Sequence, residues 1–300
     1  MHRSLAAWLT AEVWRASLAT AACAFLSPLG LSPLAIVAGA IPALMALVSG
    51  PRKGAVVALV ASAALVARFG AAEQHWGLAL GFAIAECWAP WALAVVLRST
   101  RSLNFSFQLA VLAAGVCLGS LHVLLDDPMG TWQKLVRQAV GILQSAGWTL
   151  NEQELLSSFA ATNWGTYVSL WLLGVCGSLF LARWWQALLT APGAFGEEFR
   201  SLSVGKSLGA MCTILIALAI GLQFAGVAAS ALLAFVWLAL TALGLQGLAS
   251  LHSLKASGRI GRSWLIVTYV ALVVFNIVAV VALAGWGLAD NWRRSRLSGA

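Results

Sequence analysis

Charged side chains are scarce in this sequence. Lys and Arg number 18, Asp and Glu number 10, and together they make up 9% of the 300 residues, whereas a soluble domain averages about 25%. Hydrophobic residues reach 61%, compared with about 45–50% in soluble domains. This composition excludes a disordered chain, a coiled coil, a disulfide scaffold and almost any soluble enzyme. It predicts a polytopic membrane protein.

Motifs for metal, redox or nucleotide chemistry are also missing. The cysteines lie in apolar stretches and form no Cys-x-x-Cys pair, which argues against a disulfide or a zinc site. They are Cys23, Cys87, Cys117, Cys176 and Cys212. The tripeptide Gly205-Lys206-Ser207 resembles the end of a P-loop, but Arg200 occupies the position of the required first glycine. We therefore predict no cofactor, no bound metal, no nucleic-acid partner and no enzymatic activity.

Long apolar stretches rich in Ala and Leu predict membrane-spanning α-helices rather than the alternating strands of a barrel. We expect one all-α domain over residues 1–300, a transmembrane helical bundle with about eight or nine spans. The nine candidate spans are 13–29, 31–49, 54–70, 76–97, 106–125, 164–181, 208–228, 229–251 and 264–286. The first is the weakest, because it contains Arg15 and is interrupted at Pro28. A short crossing, a re-entrant arm, an interfacial helix or a cleaved signal peptide fits it.

The basic loop residues fall mostly on one side of these spans. Twelve share that side: Arg3, Arg15, Arg52, Lys53, Arg98, Arg101, Arg183, Arg200, Lys206, Lys255, Arg259 and Arg262. The opposite side has Arg68, Lys134 and Arg137, together with Glu73, Asp126, Asp127, Glu152 and Glu154. The positive-inside rule makes the first side cytoplasmic, so we predict a bacterial inner-membrane protein with a cytoplasmic N-terminus.

The C-terminal tail conflicts with this orientation. Nine crossings would place Arg293, Arg294 and Arg296 outside, although basic residues favour the cytoplasm. Either the tail is an exception, or the first span or one of the last three is miscounted.

A long external segment, residues 126–163, separates the fifth and sixth candidate spans. Its apolar residues predict a helix that lies on the membrane or caps a cavity; they are Leu135, Val136, Val140, Leu143 and Leu150. Asn151 followed by Glu154 predicts a helix N-cap. A second segment, residues 182–206, is predicted to be cytoplasmic and amphipathic.

Glu86 is the clearest ionisable residue inside a predicted span. A central charge costs about 2.5–3.5 kcal/mol on insertion scales, and such residues are often functional. Glu86 could bind a cationic or hydrogen-bonding solute or carry a proton. Equally, it could be a neutral acid that is hydrogen-bonded to a neighbouring helix.

Three further polar residues are candidates for solute binding. His122 lies one helical turn before Asp126, so the two should share a face as a proton relay, a weak metal site or, as we favour, a structural pair. Two ligands from one helix do not make a metal site. Asn276, like Gln223 and Gln246, is a single amide within a long span. For such amides a hydrogen bond between helices is favoured over solute contact.

The cytoplasmic segment has the most distinctive sequence. It begins Ala182-Arg183-Trp184-Trp185-Gln186-Ala187-Leu188-Leu189 and continues Ala191-Pro192-Gly193-Ala194-Phe195-Gly196-Glu197-Glu198-Phe199-Arg200. The first part predicts an interfacial stretch, and a Pro-Gly turn and a short acidic helix should follow. We expect Glu197 and Glu198 to form a solvated charged patch with Arg183 and Arg200. The candidate interaction residues are Arg183, Trp184, Trp185, Pro192, Gly193 and Phe195.

This segment resembles a signature of the YybS-like family of uncharacterised bacterial membrane proteins. The family usually has Asn-Pro-Gly-Gly-Phe where this chain has Ala191-Pro192-Gly193-Ala194-Phe195. Gly50-Pro51-Arg52-Lys53-Gly54 and Leu97-Arg98-Ser99-Thr100-Arg101-Ser102-Leu103 are also similar to the family. The family has been grouped with the substrate-binding S components of energy-coupling-factor vitamin transporters, which bind a small molecule in a helical bundle and dock to a membrane subunit. The resemblance thus implies a solute-binding role and transfers no binding residues.

Three functions remain open at this stage. An S-component-like protein should have a buried polar cavity open to the outside, with Glu86, His122, Asp126 and Asn276 facing it and the external segment as a lid. A membrane interaction or envelope-biogenesis protein would work through residues 182–200. A lipid-modifying enzyme ranks last, since no acids, His or Ser cluster at one interface.

The small residues Ala16, Thr20 and Ala24 form a face for internal packing, which we favour, or for a partner subunit.

Overall fold

The structure, a computed structural model, describes residues 2–27, 33–70, 76–145, 147–149, 151–154, 163–227 and 230–297. All regular secondary structure in these ranges is helical, which confirms the predicted all-α fold. The chain forms two compact units: unit 1 comprises residues 1–110 and 171–202, and unit 2 comprises residues 111–170 and 203–300.

The helices whose full length lies in the described ranges follow in chain order. They are α1 (His2–Ala11), α2 (Val13–Leu26), α3 (Pro33–Ser49), α4 (Pro51–Gly70), α5 (Trp76–Ala83), α6 (Ala89–Thr100), α7 (Leu103–Leu124), α8 (Pro128–Ser145), α9 (Asn163–Thr190), α10 (Ala194–Arg200), α11 (Gly205–Phe224), α12 (Ser230–Ala256), α13 (Arg262–Val274) and α14 (Asn276–Leu297). A π-helical turn, Ile84–Trp88, joins α5 to α6.

Among the described residues, five helical stretches are long and apolar enough to cross a membrane: Leu80–Thr100, Leu103–Leu124, Trp164–Thr190, Gly205–Phe224 and Ser230–Ala256. The helices α2, α3 and α13 are apolar but shorter, with 14, 17 and 13 residues. The prediction of a membrane-embedded helical protein is therefore supported, with fewer full-length spans than the eight or nine expected.

Small residues on α2 pack against α3 within unit 1. Ala16, Thr20 and Ala24 on α2 are all buried, and the hydroxyl of Thr20 donates to the carbonyl oxygen of Ala38 on α3 at 2.7 Å. Side chains of this size let backbones approach closely. The small-residue face of the first predicted span is thus used for internal packing.

The segment over residues 182–206, which is predicted to be cytoplasmic, does not begin as a separate element. The sixth predicted span ends at residue 181, but α9 continues as one helix to Thr190. A turn with Gly193 in the left-handed region (φ 97°) then leads into α10, which confirms the predicted turn and short helix. Only glycine adopts this conformation without strain.

Most of the described residues in the segment predicted to be external are helical, chiefly within α8. In unit 2, Trp164 Nε1 donates to the carbonyl oxygen of Pro128 at 2.8 Å, and its ring contacts Trp132 of α8. Asn151 Oδ1 accepts from the N–H groups of Gln153 and Glu154 at 3.1 and 3.3 Å, which confirms the predicted N-cap. Leu150, the predicted break after the first span at 28–32, Glu73 and residues 155–162 lie outside the described residues.

The ninth predicted span is two helices rather than one. The helix α13 ends at Val274, Phe275 follows as its C-cap residue, and Asn276 begins α14 with φ 28°, which is unusual for a non-glycine residue. Near the other end of α14, Asn291 Nδ2 donates to the carbonyl oxygen of Gly205 at 3.2 Å, and Asp290 shares a cavity with Arg259. Within unit 2, α14 therefore ends beside the start of α11 and the turn after α12, where α13 begins. The two helices form a hairpin.

Two glycines bring α12 and α14 into close contact in unit 2. A Cβ atom on Gly247 would meet the carbonyl group of Leu283, and a Cβ atom on Gly287 would meet the carbonyl group of Leu243. Gln246, which is fully buried, accepts from the N–H of Val204 at 2.9 Å and donates to Asp290 at 3.3 Å. The expected hydrogen bond between helices is confirmed for this amide.

Candidate functional site

Glu86 lies within the π-helical turn of unit 1. Pro90 has no N–H group, so it cannot donate to the carbonyl oxygen of Glu86 as an α-helix requires. The N–H of Ala89 instead donates to the carbonyl oxygen of Ile84, five residues earlier. Isolated π-turns are rare and occur frequently at functional sites. An unusual backbone turn and an acid within a candidate membrane span therefore coincide.

The carboxyl group of Glu86 is buried, and the residue is only 8% exposed. Its Oε2 atom has no hydrogen-bond partner among the described residues. The positive charge of Arg68 on α4 attracts this carboxyl group, while the guanidinium group of Arg68 donates to the carbonyl oxygen of Ser27. An unsatisfied buried polar group costs about 1–3 kcal/mol. A proton, a cation or a hydrogen-bond donor on a solute would reduce that cost.

Small and apolar residues surround this turn. A buried cluster contains Ala58, Ala61, Leu65, Ala83 and Cys87. A Cβ atom on Gly39 of α3 would meet the carbonyl oxygen of Glu86 and the hydroxyl of Ser178. The backbone of α3 therefore packs directly against the π-turn, and a larger residue at Gly39 would disturb the position of Glu86.

The other acid–base candidates lie in unit 2. His122 is half-buried, and its Nδ1 lies 2.9 Å from the carbonyl oxygen of Leu118, with the ring beside Phe235. The helix α7 ends at Leu124, so Asp126 falls beyond it and is exposed. Among the described residues, His122 is thus positioned by its own helix and Phe235 rather than by Asp126. No three His, Cys, Asp or Glu residues in the described ranges form a metal-binding group.

Asn276 is exposed at the break between α13 and α14. Its neighbours Val273, Phe275 and Val278 are also exposed. Glu86 belongs to unit 1, whereas His122, Asp126 and Asn276 belong to unit 2. In the described part of the chain, none of these four residues lines the cavity beside Arg259 and Asp290, the cavity beside Arg98 and Arg183, or the cavity beside Phe235 and Leu238.

Arg183, in the segment over residues 182–206, is tightly held within unit 1. Arg183 donates through Nε and Nη2 to the carboxylate of Glu198 at 2.9 and 2.5 Å, and through Nη1 to Gln186 at 3.2 Å. The side chains of Arg183 and Glu198 are 14% and 30% exposed. Glu198 is therefore part of a two-point ion pair that fastens α10 to α9, and the expected solvated patch is incorrect for this residue.

The aromatic interaction candidates differ in exposure. Trp185 is buried, and its Nε1 has no hydrogen-bond partner among the described residues. Trp184 is half-buried against the ring of His2 at 5.3 Å, and Phe195 packs on Phe180 and Phe199. Pro192 and Gly193 are exposed in the turn. Much of the segment is thus packed into unit 1.

A basic cavity of about 580 Å³ opens beside this segment in unit 1. Its polar lining consists of Arg98, Arg101, Arg183, Gln186, Thr190 and Glu198. The charge pattern predicts only a loop position for Arg98 and Arg101. It does not predict that they line a cavity with residues 183–198, because this depends on tertiary contacts between distant segments. The charge pattern likewise predicts only a loop position for Arg68. Pro90, in contrast, is a local signal of the irregular turn, because it lies four residues after Glu86 and lacks the N–H group that an α-helix needs there.

No protein-family model, no curated protein and no solved structure matches this chain. The residues of the chain itself therefore carry the functional interpretation. The described residues indicate a membrane-embedded helical protein. Its unit 1 contains both a buried carboxyl group with one oxygen that has no hydrogen-bond partner among these residues and a basic cavity.

Proposed function

We propose that this chain is a multi-pass protein of a bacterial inner membrane that binds or transports a small solute, in the manner of an S component. The similarity of its cytoplasmic segment to the YybS-like family supports this proposal. The observation that carries it is the buried Glu86 carboxyl group, whose Oε2 atom has no hydrogen-bond partner among the described residues. The preferred solute is a cation or a hydrogen-bond donor, because a carboxylate attracts a positive charge and accepts hydrogen bonds.

The proposed topology has eight crossings followed by the α13–α14 hairpin. Crossings by α2, α3, α4, the α5–α6 stretch, α7, α9, α11 and α12 return the chain to the side on which it began. The hairpin then leaves Arg293, Arg294 and Arg296 on the side of Arg259 and Lys206. This arrangement satisfies the positive-inside rule for the tail, which nine crossings do not.

A thermal-shift screen of the purified full-length chain in uncharged detergent tests the proposal. The probes are water-soluble vitamins and small amines. A bound probe should raise the melting temperature of the wild-type chain, since it stabilises only the folded state. Glu86→Gln should abolish the shift, because an amide is a weaker acceptor and carries no charge.

Glu197→Gln is the matched control. Glu197 is an exposed acid on α10, so its loss should leave every thermal shift unchanged. If no probe stabilises the wild-type chain, or if Glu86→Gln retains the full shift, Glu86 is not the binding group.

An interaction or biogenesis function through residues 182–200 is the second candidate. The exposed turn at Pro192 and Gly193 favours it, because this turn could be contacted without unfolding unit 1. The burial of Trp185 and the pairing of Arg183 favour a structural role for the rest of the segment. We therefore rank solute binding first, and we propose no catalytic activity.

A further inference from the structure

The basic cavity of unit 1 is separate from the Glu86 turn and has the size of a ligand site. Its volume of about 580 Å³ lies within the roughly 300–1,000 Å³ typical of small-molecule clefts. Three arginines and one glutamate line it, so its formal charge is positive. This sign excludes a cationic ligand and favours an anion.

Two of the arginines are already committed to protein groups. Arg98 Nη1 donates to the carbonyl oxygens of Ala46 and Leu47 at 3.1 and 2.7 Å. These carbonyls belong to the last turn of α3, where such groups lack partners within their own helix. Arg183 is held by Glu198. Both side chains are thus fixed at the cavity wall rather than free in solution.

Arg101 is different, because no side-chain hydrogen bond or ion pair engages it among the described residues. It is exposed and lines the cavity. Its backbone is left-handed, with φ 55°, and its N–H donates to the carbonyl oxygen of Leu97 at 2.8 Å. A residue other than glycine pays a strain energy in this conformation. Gly or Asn would end the helix at lower cost, so the conformation does not explain the arginine.

We propose that this cavity binds the phosphate group of an anionic ligand, with Arg101 as the principal contact and Arg98 and Arg183 as fixed walls. Planar guanidinium groups match phosphate oxygens in pairs, which makes arginine the preferred residue for such recognition. Basic pockets between helices at the cytoplasmic side of a membrane bind lipid headgroups. The ligand is therefore either a phospholipid headgroup or a free phosphate-bearing solute.

Two binding measurements on the full-length chain distinguish these sources. In the first, inorganic phosphate is titrated onto the delipidated chain in uncharged detergent at constant ionic strength, with chloride as the reference anion. In the second, native mass spectrometry counts the molecules of phosphatidylglycerol and of phosphatidylcholine that the chain retains. Phosphate binding identifies a free solute, and preferential retention of phosphatidylglycerol identifies a headgroup; either result supports the proposal.

Arg101→Gln should weaken the observed binding by about tenfold, the effect of losing one hydrogen bond to a charged group. The matched control is Arg52→Gln, which removes an exposed arginine of unit 1 that does not line the cavity. It should change the affinity less than about twofold, since exposed charges are screened by salt. Equal effects of the two variants, or no selective binding by the wild-type chain, overturn the proposal.

Glu198→Gln provides an opposite test. Removing this carboxylate takes away a competing anion from the cavity and frees Arg183, so binding should become tighter. Weaker binding by a variant that melts at the wild-type temperature contradicts the assignment.

Discussion

Two buried carboxyl groups make an informative comparison, because their surroundings are opposite. Asp290 in unit 2 is 5% exposed and Glu86 in unit 1 is 8% exposed. Asp290 accepts from Gln246 at 3.3 Å and pairs with Arg293 at 2.9 Å and Arg294 at 2.7 Å. Glu86 has one oxygen with no partner in the described part of the chain.

The difference shows that burial alone does not indicate the role of an acid. Asp290 bonds to Gln246 on α12 and to two arginines in the next turn of α14, so both of its carboxyl oxygens stabilise the fold. Glu86 lacks a hydrogen-bond partner for one carboxyl oxygen among the described residues, so the free energy lost by burying that oxygen is not recovered in the folded state. An incomplete partner set is therefore the better indicator of a binding group.

Replacing Asp290 by Ala should produce the largest effect. The change leaves Gln246 with an unpaired buried amide and removes two ion pairs, so the free energy of unfolding should fall by about 3 kcal/mol. Denaturation of the chain by SDS in mixed micelles measures this value. Glu197→Ala, at an exposed site, is the control and should change it by less than about 0.5 kcal/mol. A loss of similar size in both variants would mean that the Asp290 network contributes little.

Gly39→Ala should have the next largest effect. The new methyl group would overlap the carbonyl oxygen of Glu86 and the hydroxyl of Ser178, and overpacking of this kind costs about 1–3 kcal/mol. Gly174→Ala is the matched change, because a Cβ atom there meets open space and alanine favours a helix. The same SDS titration compares the two. If Gly39→Ala is as stable as Gly174→Ala, α3 does not pack closely against the π-turn.

Glu86→Gln should have the smallest effect on stability and the largest on solute binding. The amide replaces a carboxyl group whose Oε2 forms no hydrogen bond with the described residues, so the free energy of unfolding should change by less than about 1 kcal/mol or increase slightly. A loss as large as that of Asp290→Ala would show that Glu86 is bonded like Asp290. The comparison between the two acids would then fail.

The sequence predicted helix positions well and helix partners poorly. Apolar runs and the sites of Asn151 and Pro192 follow from local pattern, and the structure agrees with them. The break at Phe275 has no Pro or Gly beside it, so no local signal reveals it; contacts of Asp290 and Asn291 with residues far away in the chain accompany it. Tertiary contacts also decide the ion pair between Arg183 and Glu198 and the hydrogen bonds from Arg98 to the end of α3. The local pattern of a single sequence does not predict such contacts.

The α13–α14 hairpin also constrains the order in which unit 2 is built during synthesis. A 13-residue helix rises only about 20 Å, less than the hydrocarbon thickness of about 30 Å, so α13, like the 14-residue α2, is shorter than a full-length span. The two helices of the hairpin are therefore best inserted together, as one element. Until Asp290 emerges from the ribosome, Gln246 lacks one of its partners. The hydrogen bond between Gln246 and Asp290, which joins α12 to α14, thus forms only after α14 has been synthesised.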